Sequence, residues 1–560
     1  MIKKIKKFIY EKNLDGYLIP KNDTYFTEYS TNNNLKNISN FTGSAGFALI
    51  LKKKNYLFVD GRYTLQAKIQ SGKKFKICKL PYVLPKDIIF KNANRIGFDP
   101  KLFTDVSLKM YFENKASLIP IKLKLNYDTS SKKIKYFHLD RKVAGEGYLS
   151  KINRVAKILK IKKIDFLYVS ASENVCWLLN IRGWDLPNAP IANCKLIISK
   201  EKQIYLFANY FKFQNLKKKF KRHVKLYTEN DFSKVITKLK NGKFCIDKNS
   251  CSFFDQILIK SKFNIIFNID PIYELKSIKN QIEIKNMEKS HITDGIAVTK
   301  FLYWFKNQNK NLTEIKIEKK LEKFRRKSKN YLCPSFDTIA GSGPNGAIIH
   351  YRANKKTNRK VKRNDILLID SGGQYKWGTT DVTRTTNTGQ VSNKIKNIFT
   401  RVLKGHIAVV TCNLKRNNCG YLIDKLARKS LNKINLNYSH GTGHGVGFFS
   451  NVHEGPQAIT NNNKVILKQG MILSNEPGYY LRNKYGIRIE NLIYVDKDKD
   501  NEKITFKNLT YAPIDMDMVN IKLLTKKERQ YLFFYHLDVY SKLSKFLNDD
   551  EKKWLIKSIQ

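Results

Sequence analysis

The chain has 560 residues and is strongly basic, because 105 Lys and Arg against 47 Asp and Glu give a formal net charge of +58. Its 42% hydrophobic and 12% aromatic residues are enough to build protein cores, which excludes an intrinsically disordered chain. The lysines are spread along the whole sequence beside abundant Asn and Ile. We therefore interpret the charge as a composition bias and expect no nucleic-acid partner.

Cysteine usage and hydropathy indicate where the protein works. Eight cysteines are scattered without a C-x-x-C pair, which favours a reducing cytoplasm over a disulfide framework or a thiolate zinc site. No stretch approaches the roughly 18 apolar residues of a membrane-spanning helix, so we expect no membrane partner. Residues 1–10 carry Ile2, Ile5, Phe8 and Ile9 at helical spacing, which predicts an amphipathic first helix rather than a signal peptide.

Two segments of the N-terminal half follow one plan. In each, a helical pattern leads into a short apolar strand, at 17–20 and again, after a helix at about 147–162, at 166–170. Each strand is followed by two apolar runs around a charged turn, at 47–59 and at 195–207, which predicts a β-hairpin. The repetition predicts two related α/β domains.

These patterns divide the chain into four parts. The related domains would cover about 1–125 and 140–273, and the polar stretch 126–133 would link them. A third region, 274–505, would be followed by a folded C-terminal tail, 506–560.

Within the third region we predict a long helix with one buried face, formed by Ile284, Met287, His291, Gly295, Val298, Leu302 and Phe305. The last strand of this region would end near Val495. The tail carries Thr525 and Glu528 ahead of a helical run, and a final helix would contain Trp554.

Acidic residues stand in apolar strand patterns, where an ionised carboxylate is costly unless a partner neutralises it. Asp370 ends a buried strand pattern, and Asp381 follows a turn-prone segment. A hairpin folded between Tyr375 and Lys376 would bring these two carboxylates directly opposite each other.

The same pattern recurs in 471–495. A hairpin folded about Asn483 would pair Glu476 with Glu490, and strand alternation would put Arg488 on the same face as Glu490. Four clustered carboxylates repel one another unless cations neutralise them. Their four charges match two divalent metal ions.

One imidazole completes this donor set. His444 lies in 440–447, whose glycines 441, 443, 445 and 447 would let the backbone pass close to the site. Such an oxygen-rich set suits Mn²⁺, with Co, Fe or Zn as competitors. Two ions of this kind can activate a water molecule and polarise a carbonyl oxygen.

Further histidines accompany the acidic residues in sequence. His350, His440 and His453 could relay protons or stabilise the tetrahedral intermediate of amide hydrolysis. We interpret the remaining histidines as surface or core residues: His138, His223, His291, His406 and His536.

The donor set and the motifs around it resemble the Xaa-Pro aminopeptidases of the pita-bread metallopeptidases. The motifs lie at 41–46, 60–63, 177–183, 335–339, 343–351, 440–447, 475–479 and 486–490, so the resemblance covers essentially the whole chain. It implies an α/β (α+β) fold in which two related creatinase-like N-terminal α/β domains precede a pita-bread catalytic domain. The C-terminal extension would pack on that catalytic domain.

The resemblance also implies how the metals are held. Asp381 and Glu490 would bridge two divalent ions, Asp370 would complete one ion, and His444 with Glu476 would complete the other. Manganese is the metal that we expect.

Roles in catalysis follow from the same resemblance. Glu476 would accept a proton, His350 would act as the proton shuttle, and His440 and His453 would contact the substrate or its oxyanion. Arg488 would orient the acidic ligands. The substrate would be a peptide with proline at the second position, which loses its first residue, and the enzyme would be a homodimer.

Other proteins of this fold remain as alternatives. A prolidase, which would cut only Xaa-Pro dipeptides, is the runner-up. The complete donor set disfavours a creatinase, and the duplicated N-terminal domains with the long tail disfavour a methionine aminopeptidase. A noncatalytic member that binds protein or RNA is kept as a different class because of the +58 charge.

Overall fold

The computed structural model describes residues 1–28, 30, 33–89, 94–125, 134–220, 223–307, 312–497 and 502–557. The chain forms two compact units, Met1–Tyr273 and Glu274–Gln560. The linker predicted at 126–133 lies outside the described residues.

Short helices and strands alternate in the first unit. Its helices are α1 (Ile2–Glu11), α2 (Asn34–Ser39), α3 (Thr64–Ser71), α4 (Asp105–Phe112), α5 (Arg141–Ala144), α6 (Tyr148–Ile161), α7 (Ser172–Leu178), α8 (Tyr210–Phe213), α9 (Lys217–Phe220), α10 (Phe232–Lys238) and α11 (Phe253–Lys260). Its strands are β1 (Gly16–Pro20), β2 (Phe47–Leu51), β3 (Asn55–Val59), β4 (Lys76–Lys79), β5 (Arg95–Phe98), β6 (Ser117–Pro120), β7 (Phe137–His138), β8 (Phe166–Val169), β9 (Ile181–Arg182), β10 (Cys194–Ser199), β11 (Ile204–Ala208), β12 (Val224–Tyr227), β13 (Lys243–Ile246) and β14 (Asn264–Phe267).

One strand order occurs twice in the described part of this unit. The first six-stranded sheet runs β4-β3-β2-β1-β5-β6 and the second runs β12-β11-β10-β8-β13-β14. In the first sheet β1 pairs antiparallel with β2 of the hairpin β2–β3, and in the second sheet β8 pairs antiparallel with β10 of the hairpin β10–β11. The predicted pair of related α/β domains and both predicted hairpins are confirmed.

The predicted helices of this unit are also confirmed. Helix α1 buries Ile5 and Ile9 on the face that the spacing indicates, and α6 lies within one residue of its predicted ends. The first sheet has apolar side chains on both faces, because α1 covers one face while α4 contributes Leu108 and Phe112 to the core on the other.

The second unit is built from longer helices and small sheets. Its helices are α12 (Ile272–Ser277), which contains the boundary between the units, α13 (Gln281–Lys306), α14 (Glu314–Arg325), α15 (Asn393–Val410), α16 (Gly420–Asn432), α17 (Lys526–Leu543) and α18 (Asp549–Lys557). Its strands are β15 (Tyr331–Pro334), β16 (Ile339–Ser342), β17 (Ile366–Ser371), β18 (Gly373–Tyr375), β19 (Gly378–Thr379), β20 (Val382–Asn387), β21 (Gly443–His444), β22 (Ala458–Ile459), β23 (Ile472–Asn475), β24 (Gly478–Leu481), β25 (Tyr485–Arg488), β26 (Asn491–Lys497) and β27 (Ile504–Asn508).

Two antiparallel systems organise the strands of the second unit. Strand β17 lies between β16 and β20, and β26 lies between β23 and β27, while β24 and β25 form a separate hairpin. Strand β27 pairs with β26 along its whole length, so the prediction that the last strand ends near Val495 is wrong. The polar segment between β26 and β27 hides this continuation in the sequence.

The C-terminal tail is folded, as predicted. Helix α17 starts at a capping box in which Thr525 and Glu528 satisfy each other's backbone N–H groups. Its Tyr535 and Val539 share an apolar core with Ile487 of β25. In the described part of the chain, no helix combines the length and the apolar run that crossing a membrane requires.

Helix α13 passes so close to the tail that only glycine fits at position 295. An added Cβ there would lie 2.2 Å from the backbone oxygen of Tyr511. We expect Gly295→Ala to lower the free energy of unfolding by about 1–3 kcal/mol, although the helix propensity of alanine alone would raise it by about 1 kcal/mol. Denaturant unfolding measures this change. Thr293→Ala is the matched control on α13, and a stabilised Gly295→Ala protein would contradict the close contact.

His536 makes the stability of the second unit depend on pH. Burial, and then the Arg384 cation, lower the pKa of His536 to about 4, and its Nε2 accepts a hydrogen bond from the N–H of Ile514 at 3.1 Å. Between about pH 6.5 and pH 4 the unfolded state therefore binds the extra proton, so stability falls by up to about 1.4 kcal/mol per pH unit as the pH is lowered.

We expect His536→Gln to lose less stability than the parent protein between pH 7 and pH 5, because glutamine can accept the same bond without titrating. Urea unfolding at both pH values measures the two losses. Equal losses in the two proteins would show that His536 does not carry this dependence.

Candidate metal centre

Asp370 and Asp381 come from the hairpin that contains β17 and β20. Asp370 pairs with Thr383, and the inner strands pair Tyr375 with Gly378, so the turn is centred between Lys376 and Trp377. The prediction that the two aspartates lie directly opposite each other is wrong by two residues. Because side chains alternate with a period of two, Asp381 is still on the face of Asp370, as its diagonal neighbour.

Glu476 and Glu490 come from the second hairpin, and here the predicted register is confirmed. Asn475 pairs with Asn491 on one side of the two glutamates, and Gly478 pairs with Arg488 on the other. Both ladders are centred on Asn483, which brings Glu476 opposite Glu490.

His444 reaches the same point from the glycine-rich segment 440–447. Its Nδ1 lies 2.9 Å from the backbone oxygen of Gly445, which turns Nε2 toward the acids, 3.5 Å from Asp381 Oδ2 and 3.7 Å from Glu476 Oε1. Donor atoms of Asp381, His444 and Glu490 all lie within 4.8 Å of one another.

The glycines of this segment have the predicted function. A Cβ at Gly443 would lie 1.9 Å from the oxygen of Ser474, and one at Gly445 would lie 2.0 Å from the oxygen of Glu454. Larger residues would therefore push the segment, and His444 with it, away from the strands.

Burial raises the pKa of each of these acids. The pKa of Asp381 and that of Glu476 rise to about 7, and the pKa of Glu490 lies well above its ordinary value because of burial and the neighbouring Asp381. The pKa of Asp370 is raised by burial against the opposing effect of Arg488. Protons and cations compete for this site, because only added positive charge makes three buried carboxylates and the partly exposed Glu476 stable together.

Arg488 supports the acids from the inner face of β25, as strand alternation predicts. Its Nη2 donates to Asp370 Oδ2 at 2.5 Å, and its Nε donates to Thr383 Oγ1 at 3.1 Å. Thr383 Oγ1 in turn donates to Glu490 Oε2 at 2.7 Å. One cation thus fixes a carboxylate on each hairpin.

The remaining oxygen atoms of the two aspartates fit a metal centre. Asp370 Oδ1 and Asp381 Oδ1 are buried and accept no hydrogen bond from the described residues. A buried carboxylate oxygen without a donor is costly unless a cation binds it. Together with the imidazole of His444, these donors suit divalent metal ions.

A buried ion pair supports the first hairpin from below. Arg325 bonds to Asp294 at 2.7 Å and donates to Ser371 Oγ at 3.1 Å, while Thr380 Oγ1 donates to Asp294 at 3.0 Å. Ser371 and Thr380 are the chain neighbours of Asp370 and Asp381, so this pair fixes both ends of the turn. The sequence analysis did not find it, because its members are far apart in the chain.

Tyr480 is a further site residue that the sequence analysis missed. Its hydroxyl oxygen accepts a hydrogen bond from Arg488 Nη1 at 2.6 Å and lies 2.9 Å from Nε2 of His440. The signal was available, since Tyr480 pairs with Gly486 and is therefore the diagonal neighbour of Arg488 on the inner face. Tyr480 connects the cation behind the acids to His440.

His453 and His350 complete the predicted histidines. The rings of His453 and His444 pack edge to face with their centroids 4.3 Å apart. The segment that bears His453 is fixed by Glu454, which is buried with Lys276 at 3.1 Å and Lys279 at 2.5 Å. His350 lies in the loop between β16 and β17 and is partly buried.

Family models cover nearly the whole chain. Residues 285–497 match the metallopeptidase family M24, residues 1–125 and 129–283 each match the creatinase/prolidase N-terminal domain, and residues 502–560 match the C-terminal region of peptidase M24.

Relatives of similar length confirm this assignment. A probable Xaa-Pro aminopeptidase P of Laccaria bicolor is 36% identical over 99% of this chain and 92% of that protein. Aminopeptidase P2 of Arabidopsis thaliana is 33% identical over 97% of this chain and 85% of that protein.

Solved structures agree. An X-prolyl aminopeptidase from Caenorhabditis elegans, described as a cytosolic enzyme with a di-nuclear active site, is 28% identical and covers 100% of this chain and 98% of its own, with a TM-score of 0.93. A prolidase from Thermococcus sibiricus covers only 66% of this chain, with a TM-score of 0.54. The chain therefore belongs to the Xaa-Pro aminopeptidases of metallopeptidase family M24.

Proposed function

We propose that this protein hydrolyses the first peptide bond of peptides with proline at the second position, using two divalent metal ions. The convergence of three buried carboxylates and the partly exposed Glu476 with His444 carries this proposal, because such a cluster is unstable without cations. The C. elegans enzyme, which matches this chain from end to end, has a di-nuclear active site.

Each predicted ligand has a position in the proposed centre. Asp381 and Glu490 would hold both ions, Asp370 would help to hold one ion, and His444 with Glu476 would help to hold the other. The oxygen-rich donor set favours Mn²⁺ over Co, Fe or Zn. When bound, the two ions supply Lewis-acid activation of a water molecule and of the scissile carbonyl group.

The protein groups move protons and orient the substrate. Glu476 would accept a proton from the attacking water. His350 shuttles a proton, and His440 and His453 contact the substrate or its oxyanion. Arg488 orients the carboxylates, as its contacts with Asp370 and Thr383 require.

We also propose the domain boundaries, the oligomeric state and the location of the enzyme. The chain would comprise creatinase-like domains over 1–125 and 140–273, the catalytic domain over 274–505 and the extension over 506–560. The enzyme would be a cytoplasmic homodimer, and the cytosolic C. elegans enzyme supports the location.

A peptide assay tests the activity directly. We expect the Mn²⁺-loaded protein to release the first residue from a short Xaa-Pro-Xaa peptide, to leave an Xaa-Ala-Xaa control uncut, and to lose turnover on chelation. Metal content is measured on the same sample. Cleavage confined to Xaa-Pro dipeptides would indicate a prolidase instead, and turnover that survives complete chelation of the metal would refute the two-metal proposal.

Removing one bridging ligand tests the centre itself. We expect Asp381→Ala to abolish peptide hydrolysis and to leave metal bound below stoichiometry, because the variant has one carboxylate fewer to hold and offset the two ions. Asp517→Ala is the control, since Asp517 pairs with Lys306 at the surface and is well exposed. An Asp381→Ala protein that keeps both its metal and its turnover would contradict the assignment.

A further inference from the structure

Arg384 is a buried cation that joins the metal-site strands to the C-terminal extension. It lies on β20, three residues after Asp381, and is 2% exposed. Its hydrogen-bond acceptors among the described residues are all neutral: four backbone carbonyl oxygens, one amide oxygen and one phenol oxygen. Burying a guanidinium without a carboxylate partner lowers the stability of the fold. An apolar side chain at this position would give a more stable protein if packing were its only role.

One end of Arg384 holds the junction between β25 and β26, where Glu490 lies. Its Nη1 donates to the backbone oxygen of Glu490 at 2.6 Å and to the backbone oxygen of Thr383 at 2.9 Å. Its Nη2 donates to Asn491 Oδ1 at 2.8 Å. Thr383 is also the residue whose hydroxyl bonds to the Glu490 carboxylate. Arg384 therefore fixes both the backbone and the side-chain support of Glu490.

The other contacts of Arg384 reach the extension. Its Nε donates to the backbone oxygen of Pro513 at 2.9 Å. Its Nη2 donates to the backbone oxygen of Ala512 at 2.7 Å and to the hydroxyl oxygen of Tyr535 at 3.0 Å. Tyr535 lies on α17, and its hydroxyl donates to Ala512 at 2.8 Å. A shift of α17 would therefore move the junction of β25 and β26, where Glu490 lies, because the rigid, planar guanidinium of Arg384 contacts both.

We propose that Arg384 is a positioning residue for Glu490 and that the C-terminal extension, through Tyr535 and the carbonyls of Ala512 and Pro513, sets the metal affinity of the site. The inference rests on the proposed function for the identity of Glu490 as a ligand.

The experiment compares two tyrosines on the same helix. Tyr535→Phe removes the phenol acceptor of Arg384. Tyr531→Phe is the matched control, because Tyr531 stacks on Tyr535 but its hydroxyl bonds to Asn508 instead, at 3.0 Å. The affinity for Mn²⁺ is measured by calorimetric titration on the full-length, metal-stripped chain, beside the thermal midpoint.

We expect Arg384→Lys to weaken Mn²⁺ binding by about 10- to 100-fold and Tyr535→Phe by about 3- to 10-fold, since supports behind a ligand have effects of this order. Tyr531→Phe should bind Mn²⁺ as the parent does, even where its thermal midpoint falls. An unchanged Mn²⁺ affinity in Tyr535→Phe, or an equal loss in both tyrosine variants, would overturn the proposal. If Arg384→Lys does not fold, the tyrosine pair decides alone.

These outcomes are separate from the test of the activity. A parent protein that binds Mn²⁺ but leaves Xaa-Pro-Xaa peptides uncut refutes the proposed function, while the comparison of affinities stays valid. A parent protein that binds no Mn²⁺ overturns both, and is recognised before any variant is made.

Discussion

Mutual repulsion among buried carboxylates is the constraint on which the second unit depends. Asp381 and Glu490 are nearly inaccessible to solvent, and burial raises the pKa of both. Such a group of charges is tolerated only where cations offset it, as Arg488 does from the strand and as metal ions would from the open side. The hairpins, the glycine segment and the tail are arranged so that these charges meet at one point.

Backbone proximity is the second requirement, and it explains why the site is built from hairpins and glycines. Two antiparallel ladders bring Glu476 opposite Glu490 through main-chain pairing. The segment of His444 must then approach β23, the strand that leads into Glu476, and Gly443 allows this because a Cβ there would meet the backbone oxygen of Ser474. Precision in the donor atoms therefore comes from the main chain, and the side chains only complete it.

The sequence predicted local features well and long-range supports poorly. Strand alternation found the inward position of Arg488, and symmetry about Asn483 gave the correct register of the second hairpin. The first hairpin was predicted two residues out of register, because 372–378 offers several equally good turns and the true centre is Lys376–Trp377. Arg384 was missed because its acceptors are mostly backbone carbonyls, which every residue has, so no sequence pattern marks them.

The net charge of +58 has little to do with the metal centre, whereas a few buried cations determine its electrostatics. Surface lysines are solvated and contribute little, because water screens them. Arg325, Arg384 and Arg488 are each at most 2% exposed; Arg384 and Arg488 lie on β20 and β25, and Arg325 donates to Ser371 beside Asp370. Since a buried charge acts through a medium of low dielectric, these three residues shape the potential at the site far more than the lysines that dominate the composition.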